Sequence, residues 1–461
     1  MNRPERLSRR QLLRTIGGGF GGLALNKLLA EAAPLGGPPG PHFPPRAKRV
    51  IFLFFNGGPS QVDTFDYKPA LKKYHGQPMP GEKPKTERET GNLLASPFEF
   101  RQYGDSGLWI SDLFSGVGQF ADDLCIIRSM HTDRPFHDAG FFLMNCGHVQ
   151  AGRPSMGSWL TYGLGVENED LPGFIVLCPG LPTVGPQLWS SSFLPGVHQG
   201  THLDNSSADP FEMAPNLRSE SATLGEQRSQ LDLLGRLNQI HESRIGEDAQ
   251  LDTAIRSMEI AFQMQTEASD ALDVSKETEA VRERYGDGDF ARGCLIARRL
   301  VERGVRVVQA YTGPGQPWDH HDDIMDHRKL AAEADRAIAA LLADLKTIGL
   351  FDETLVIIGG EFGRTPAAEV SGLVKVQNGR DHNNQGFSMV LAGGGVRGGT
   401  TYGATDDLGY RAVENPVHVH DLHATILHIL GLDHTRLTYR YSGRDFRLTD
   451  VAGNVIHDIL A

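Results

Sequence analysis

Arg49-Val50-Ile51-Phe52-Leu53-Phe54-Phe55-Asn56-Gly57-Gly58-Pro59-Ser60-Gln61-Val62-Asp63-Thr64-Phe65-Asp66 opens as an unbroken apolar run and ends in glycine, proline and polar residues. A run apolar on both faces reads as a strand buried in the middle of a parallel sheet. The Gly-Gly-Pro break lets the backbone leave the sheet edge in a tight turn. Open α/β sheets bind ligands beyond the carboxyl ends of their strands. Asn56, Ser60, Asp63 and Asp66 therefore emerge where a site is expected.

The same pattern recurs downstream. Apolar runs at 124–128, 174–178, 305–310, 354–358 and 387–392 read as strands. Helical periodicity at 137–145, 155–164, 290–303, 328–348 and 419–430 alternates with them. Strands alternating with helices imply a mostly parallel sheet covered on both faces, an α/β/α sandwich. Residues 219–284 are polar, charged and helical in period, and read as a helical insertion on that core. The segments 76–105 and 181–209 read as loop.

The chain has 461 residues and a formal net charge of -12. That balance argues against a nucleic-acid partner. Cys125, Cys146, Cys178 and Cys294 form no C-x-x-C pair, which excludes zinc-ribbon and dithiol redox motifs. Cys125 and Cys178 lie in apolar runs and read as core.

The amino terminus reads as a targeting segment. Ser8-Arg9-Arg10-Gln11-Leu12-Leu13 precedes a weakly apolar, glycine-rich run, and Ala30-Glu31-Ala32 offers small residues at a cleavage spacing. Twin arginines with such a core resemble a twin-arginine signal, so the twin-arginine translocase is the expected partner in export to the periplasm or beyond. The division expected is a signal at 1–32, a Pro/Gly-rich linker at 33–48 and one domain at 49–461. Residues 1–32 hold six basic and two acidic side chains, so the remainder is four charges more negative than the whole. Elsewhere no run approaches the ~20 apolar residues of a membrane span.

Four strands end in polar clusters: Asn56 and Asp63 after the first, Thr132, His137 and Asp138 after the second, Asp319, His321 and Asp323 after the next, and Glu361 and Arg364 after the fourth. Asp381 and His382 follow on an adjoining loop. In a parallel sheet these ends share one edge. Carboxylates and imidazoles gathered there are ligands for a divalent metal: zinc, manganese, calcium or magnesium. Two such ions would clamp the attacking and leaving oxygens of an ester, and Arg364 would hold an oxyanion. Each member alone has a structural alternative. Asp63 can be a helix cap, His137 a core or cap residue, and Glu361 a partner of Arg364.

The quoted stretch, with Gly152-Arg-Pro-Ser-Met-Gly-Ser-Trp159, Trp318-Asp-His-His321, Gly360-Glu-Phe-Gly-Arg-Thr-Pro366 and His420-Asp-Leu-His-Ala-Thr425, resembles domain-of-unknown-function family 1501, whose members are sulfatase-like. The resemblance implies an alkaline phosphatase/sulfatase superfamily sandwich and a metal-dependent phosphate- or sulfate-ester hydrolase site. Asn56 stands where the superfamily's first metal aspartate is expected, with Asp63 further on. Asp319 to His321 or Asp323 resembles its Asp-x-x-x-His segment with altered spacing. Glu361-Phe362 replaces its Asp-His pair, and His382 resembles its last metal histidine. The sulfatase motif Cys/Ser-x-Pro-x-Arg surrounds no cysteine here. Thr132 resembles the hydroxyl nucleophile of phosphodiesterase-like members. The expected ligands are Asp63, Asp319, His321, Glu361, Asp381 and His382, with Thr132, His137 and Arg364 catalytic. The substrate expected is a small-molecule or polysaccharide ester. The alternative is a non-catalytic binding or scaffold protein on the same fold, for extracellular polysaccharide.

Overall fold

Val50 to Phe55 are all buried, as a strand apolar on both faces requires. In the computed structural model, which describes residues 39–80, 86–214, 223–245, 251, 255, 258, 259, 262, 263 and 268–461, this strand is Arg49–Phe54. It sits between Val307–Tyr311 and Thr354–Gly359 and is parallel to both. Phe174–Leu177 and Thr201–Leu203 extend the sheet beyond Val307–Tyr311, also in parallel.

On the other side the order continues through Phe387–Gly393 to Leu124–His131, and Thr400–Tyr402 and Val417–His418 line the outer edge. Phe387–Gly393 is antiparallel to both its neighbours. The strands Arg49–Phe54, Leu124–His131, Val307–Tyr311 and Thr354–Gly359 therefore all point their carboxyl ends the same way.

Alternation along the first strand divides the core into two layers. Ile51, Leu53 and Phe55 pack with helices Asp289–Glu302 and His327–Thr347. Val50, Phe52 and Phe54 pack with helices His137–Cys146, Met156–Leu164 and Val419–Ile429. The long helix buries Ala331, Ala334, Ile338, Leu341, Leu342 and Leu345, the spacing of one helical face. It stops where Gly349 takes a left-handed φ of 75° and the Leu350 N–H returns to the Leu345 carbonyl. The molecule is a three-layer α/β/α sandwich with a mostly parallel sheet.

Of the expected insertion, the helix Leu224–Ile245 is described, and Leu231, Leu234 and Met258 form a small cluster apart from both main cores. The expected signal at 1–32 lies outside the described residues. No described helix is long and apolar enough to cross a membrane. All four cysteines are buried.

Two expectations of loop are corrected. Residues 181–209 contain the 3-10 turns Gly185–Trp189 and Gly196–His198 and the edge strand Thr201–Leu203. Residues 76–105 contain the strands Thr90–Leu93 and Phe100–Tyr103, and Thr90–Leu93 joins Gly363–Glu369 and Arg380–Asn383 in a small antiparallel sheet. Arg364 stands opposite His382 in its register.

Candidate metal centre

The loop after Val307–Tyr311 carries Asp319, and Asn56 holds that loop. The Asn56 amide donates to the carbonyls of Gly313 at 2.9 Å and Gly315 at 2.8 Å and accepts from the Thr312 hydroxyl. Trp318 stacks on Phe55 with centroids 4.9 Å apart. Gly57 turns beneath it at φ 118°, where a Cβ would approach the Trp318 and Asp319 nitrogens to 2.8 Å. Asn56 thus clamps a loop, and the break after the first strand is glycine because a backbone crosses it.

Three imidazoles surround Asp319. Its Oδ1 lies 3.1 Å from His137 Nε2, 2.8 Å from His321 Nε2 and 3.1 Å from His382 Nε2. The His321 and His382 Nε2 atoms are 3.1 Å apart. Each ring is backed at its other nitrogen by a glutamate. His137 Nδ1 meets Glu361 Oε1 at 2.6 Å, His321 Nδ1 meets Glu369, and His382 Nδ1 meets Glu87. A carboxylate only accepts, so each Nδ1 donates to its glutamate, which leaves Nε2 as the atom that would bind a cation held in the centre.

Metal-binding histidines are held in this way, with a carboxylate fixing the tautomer. A tetrahedral ion with bonds near 2.0–2.1 Å spaces its ligand atoms about 3.3 Å apart, close to the spacings here. His137 Nε2 is buried and makes no hydrogen bond of acceptable geometry, although Asp319 is within 3.1 Å. Residues His137, Asp319 and His382 form one group whose ligand atoms lie within 4.8 Å of one another. His321, Glu369 and Asp381 form a second, and Glu87, Asp381 and His382 a third.

The electrostatics match. Burial pushes the Asp319 carboxyl up, but the Arg364 guanidinium and the three imidazoles outweigh it and hold it far below the usual carboxylate range. Burial presses His137 toward neutrality, but close approach to the Asp319 and Glu361 carboxylates outweighs it and raises its pKa. The centre thus draws positive charge, which a divalent cation supplies in place of protons. The residues present fit such an ion.

The expected residues separate into three sets. His137, Asp319, His321 and His382 converge. Glu361 stands behind His137 and also accepts the Gly57 N–H at 3.2 Å. Asp381 lies alongside, accepting the N–H groups of Arg88 and His382 at 2.7 Å, and burial foremost raises its pKa. Asp63 does not join. It is fully buried and paired with Arg380, whose Nε is 2.7 Å from Oδ2.

Arg364 also differs from expectation. Its guanidinium is fully buried and donates to the carbonyls of Gly57, Gly58, Trp318 and Arg380, with Nη2 2.6 Å from Asp319. Its donors are turned to backbone and to Asp319, which makes it a staple under the centre rather than an oxyanion holder. The Thr132 hydroxyl is buried without a hydrogen-bond partner among the described residues.

Glu87 and Glu369 escaped sequence reasoning. Glu369 lies in Ala367-Ala368-Glu369-Val370, an acid within an apolar run, which is the signal that marks a paired buried carboxylate. Glu87 lies in a polar loop where nothing distinguishes it.

A family model described as "Protein of unknown function (DUF1501)" matches residues 47–460. No curated protein matches. Solved structures give weaker likenesses. Ps i-CgsB in complex with k-i-k-neocarrahexaose is 10% identical with a TM-score of 0.35, covering 84% of this chain and 72% of that one. The PsFucS1 sulfatase from Pseudoalteromonas sp. is 11% identical with a TM-score of 0.34, covering 84% and 68%. A TAB5 alkaline phosphatase mutant with magnesium bound in its M3 site is 11% identical with a TM-score of 0.36, covering 84% and 99%. At these scores none of the three bears on the chemistry of this chain.

Proposed function

The chain belongs to the DUF1501 family, and from that premise and the geometry above we propose that it is an exported, metal-dependent hydrolase of sulfate or phosphate esters. One observation carries the reading: three histidines, each backed by a glutamate, turn their Nε2 atoms onto Asp319 Oδ1. His137, Asp319 and His382 would hold the ion, with His321 beside them as the fourth ligand. Three nitrogens and one carboxylate oxygen suit zinc or manganese better than calcium or magnesium, which take oxygen shells.

When bound, such an ion supplies Lewis-acid charge to the anionic oxygens of an ester. The protein's own residues set the geometry. Glu361, Glu369 and Glu87 fix the ring orientations, and Arg364 fixes the Asp319 carboxylate. Asp381 stands beside His382 and holds that strand in place by accepting the N–H groups of Arg88 and His382. Export rests on the twin-arginine segment Ser8-Arg9-Arg10, with the twin-arginine translocase as the partner.

Assays of metal-loaded protein on aryl sulfate, phosphate monoester and phosphodiester test this reading. Turnover of one class, lost on chelation and restored by zinc or manganese, is expected. Metal-loaded protein inert on all three contradicts it.

A second reading has its own observation. The Thr132 hydroxyl has no hydrogen-bond partner among the described residues, so no base activates it as a nucleophile. A non-catalytic binding protein stabilised by a metal accounts for that, and it predicts glycan binding that survives chelation.

A further inference from the structure

The motif Trp318-Asp319-His320-His321 gives two side chains to the centre, and its remaining imidazole goes to a different partner. Asp319 and His321 both meet His382. His320, between them in sequence, has its Nδ1 2.6 Å from Nδ1 of His327. His327 is fully buried and opens the long helix His327–Thr347.

The hydrogen bonds fix the tautomers of both rings. The Ser60 N–H donates to His327 Nε2 at 3.1 Å, so that nitrogen carries no proton. The His327 proton is therefore on Nδ1, facing His320. One proton fits between two nitrogens 2.6 Å apart, so His320 accepts at Nδ1 and keeps its own proton on Nε2. Both rings are neutral in this arrangement. Burial, the foremost influence on each, lowers the pKa of both, in agreement. Donation thus runs from the Ser60 amide to His327 and from His327 to His320.

This relay joins three parts of the fold. Ser60 ends the glycine-rich turn after Arg49–Phe54, and its hydroxyl donates to Asp63. His327 sits on the helix that packs against one face of the sheet, with Trp318 edge-on to it at 5.0 Å. His320 lies inside the ligand segment itself.

The backbone of that segment is held as well. The His320 N–H returns to the Trp318 carbonyl at 3.0 Å, a three-residue turn with Asp319 at its apex. The Arg380 N–H donates to the His320 carbonyl at 3.3 Å, and a Cβ on Gly379 would fall 2.0 Å from the His321 carbonyl oxygen. With the backbone fixed by these contacts and the middle ring fixed by His327, the flanking Asp319 and His321 side chains are set toward His382.

We propose that His327 and His320 are a positioning pair for the metal centre, locking the segment that supplies Asp319 and His321. The pair acts through those two residues. It rests on the metal-centre reading above and does not depend on turnover. Outer partners that orient metal ligands are worth about 10- to 100-fold in metal affinity.

Titration of the full chain with zinc and with cobalt(II) tests the pair, comparing wild type with His320→Asn and His320→Leu. The Asn oxygen reaches the place of Nδ1 and accepts from His327. Leu has a similar size, accepts nothing and leaves the His327 N–H unpaired. His320→Leu is expected to lower affinity for both ions about 10- to 100-fold and to change the visible spectrum of the cobalt form. His320→Asn is expected to restore most of both. If His320→Leu does not fold, nitrogen NMR of ring-labelled wild type carries the test. His327 is then expected protonated on Nδ1 and His320 on Nε2, and the reverse assignment overturns the pair. Wild-type affinity and spectrum in His320→Leu, or equal losses in the Leu and Asn variants, overturn it too. Wild-type protein that binds neither ion removes the metal-centre reading and the pair with it. The expected order of affinities in a protein without turnover upholds the pair and removes only the hydrolase reading.

Discussion

Glu361 Oε1 sits 2.6 Å from His137 Nδ1, while the same buried carboxylate accepts the Gly57 N–H. The acid at the end of one strand thereby fixes both an imidazole from a neighbouring element and the turn after the first strand. Glu361 acts through His137. Removing a carboxylate behind a metal-binding histidine lowers affinity about 10- to 100-fold. Glu361→Gln is expected to weaken zinc affinity by that range in equilibrium dialysis. Complete loss of binding would make Glu361 a ligand.

The Asp63–Arg380 pair gives the opposite signature. Both side chains are fully buried, and Asp63 also accepts the Ser60 hydroxyl. Removing one partner of a buried pair costs about 3–5 kcal/mol because the other charge is stranded. Asp63→Asn is expected to lower unfolding stability by that order with metal stoichiometry unchanged. Normal stability with lost metal would return Asp63 to the ligand set.

Arg364 is expected to fail in stability before catalysis. Arg364→Met strands four carbonyls and the Asp319 carboxylate, a loss again about 3–5 kcal/mol. Arg364→Lys restores the charge but not the fork, and recovers only part. Denaturant unfolding measures both. Unchanged midpoints with abolished turnover would restore the oxyanion role.

Stability should also fall on the acid side through His423. Its Nε2 donates to the Met144 carbonyl at 2.8 Å, and burial foremost lowers its pKa from 6.5 to about 3. The unfolded chain then binds more protons between those values, so stability is full above about pH 6.5 and falls as pH drops below it. One such proton contributes about 1.4 kcal/mol per pH unit. His423→Gln keeps a donor toward Met144 and cannot titrate, so the acid-side slope should flatten by one proton. An unchanged slope would contradict the buried neutral assignment.

The sandwich was legible because Val50 to Phe55 and the strand-end clusters follow local rules. Asp319, His321 and His382 were legible for the same reason. The direction of Phe387–Gly393 was not, because residue pattern does not encode the sense of a strand. The roles of Asp63, Glu361 and Arg364 were not legible either. A carboxylate after a strand reads alike whether it faces an ion, an arginine or an imidazole. Only the register that sets Arg364 opposite His382, and the loop that brings Glu87 across, separates these cases.

X-ray absorption at the metal edge of protein purified with its ion tests the central claim most directly. The account predicts one tightly bound zinc or manganese per chain whose first shell shows scattering from three imidazoles and one carboxylate, with one imidazole lost in His321→Ala. Protein that retains no metal after exposure to either ion, or a shell of oxygen alone, would contradict it.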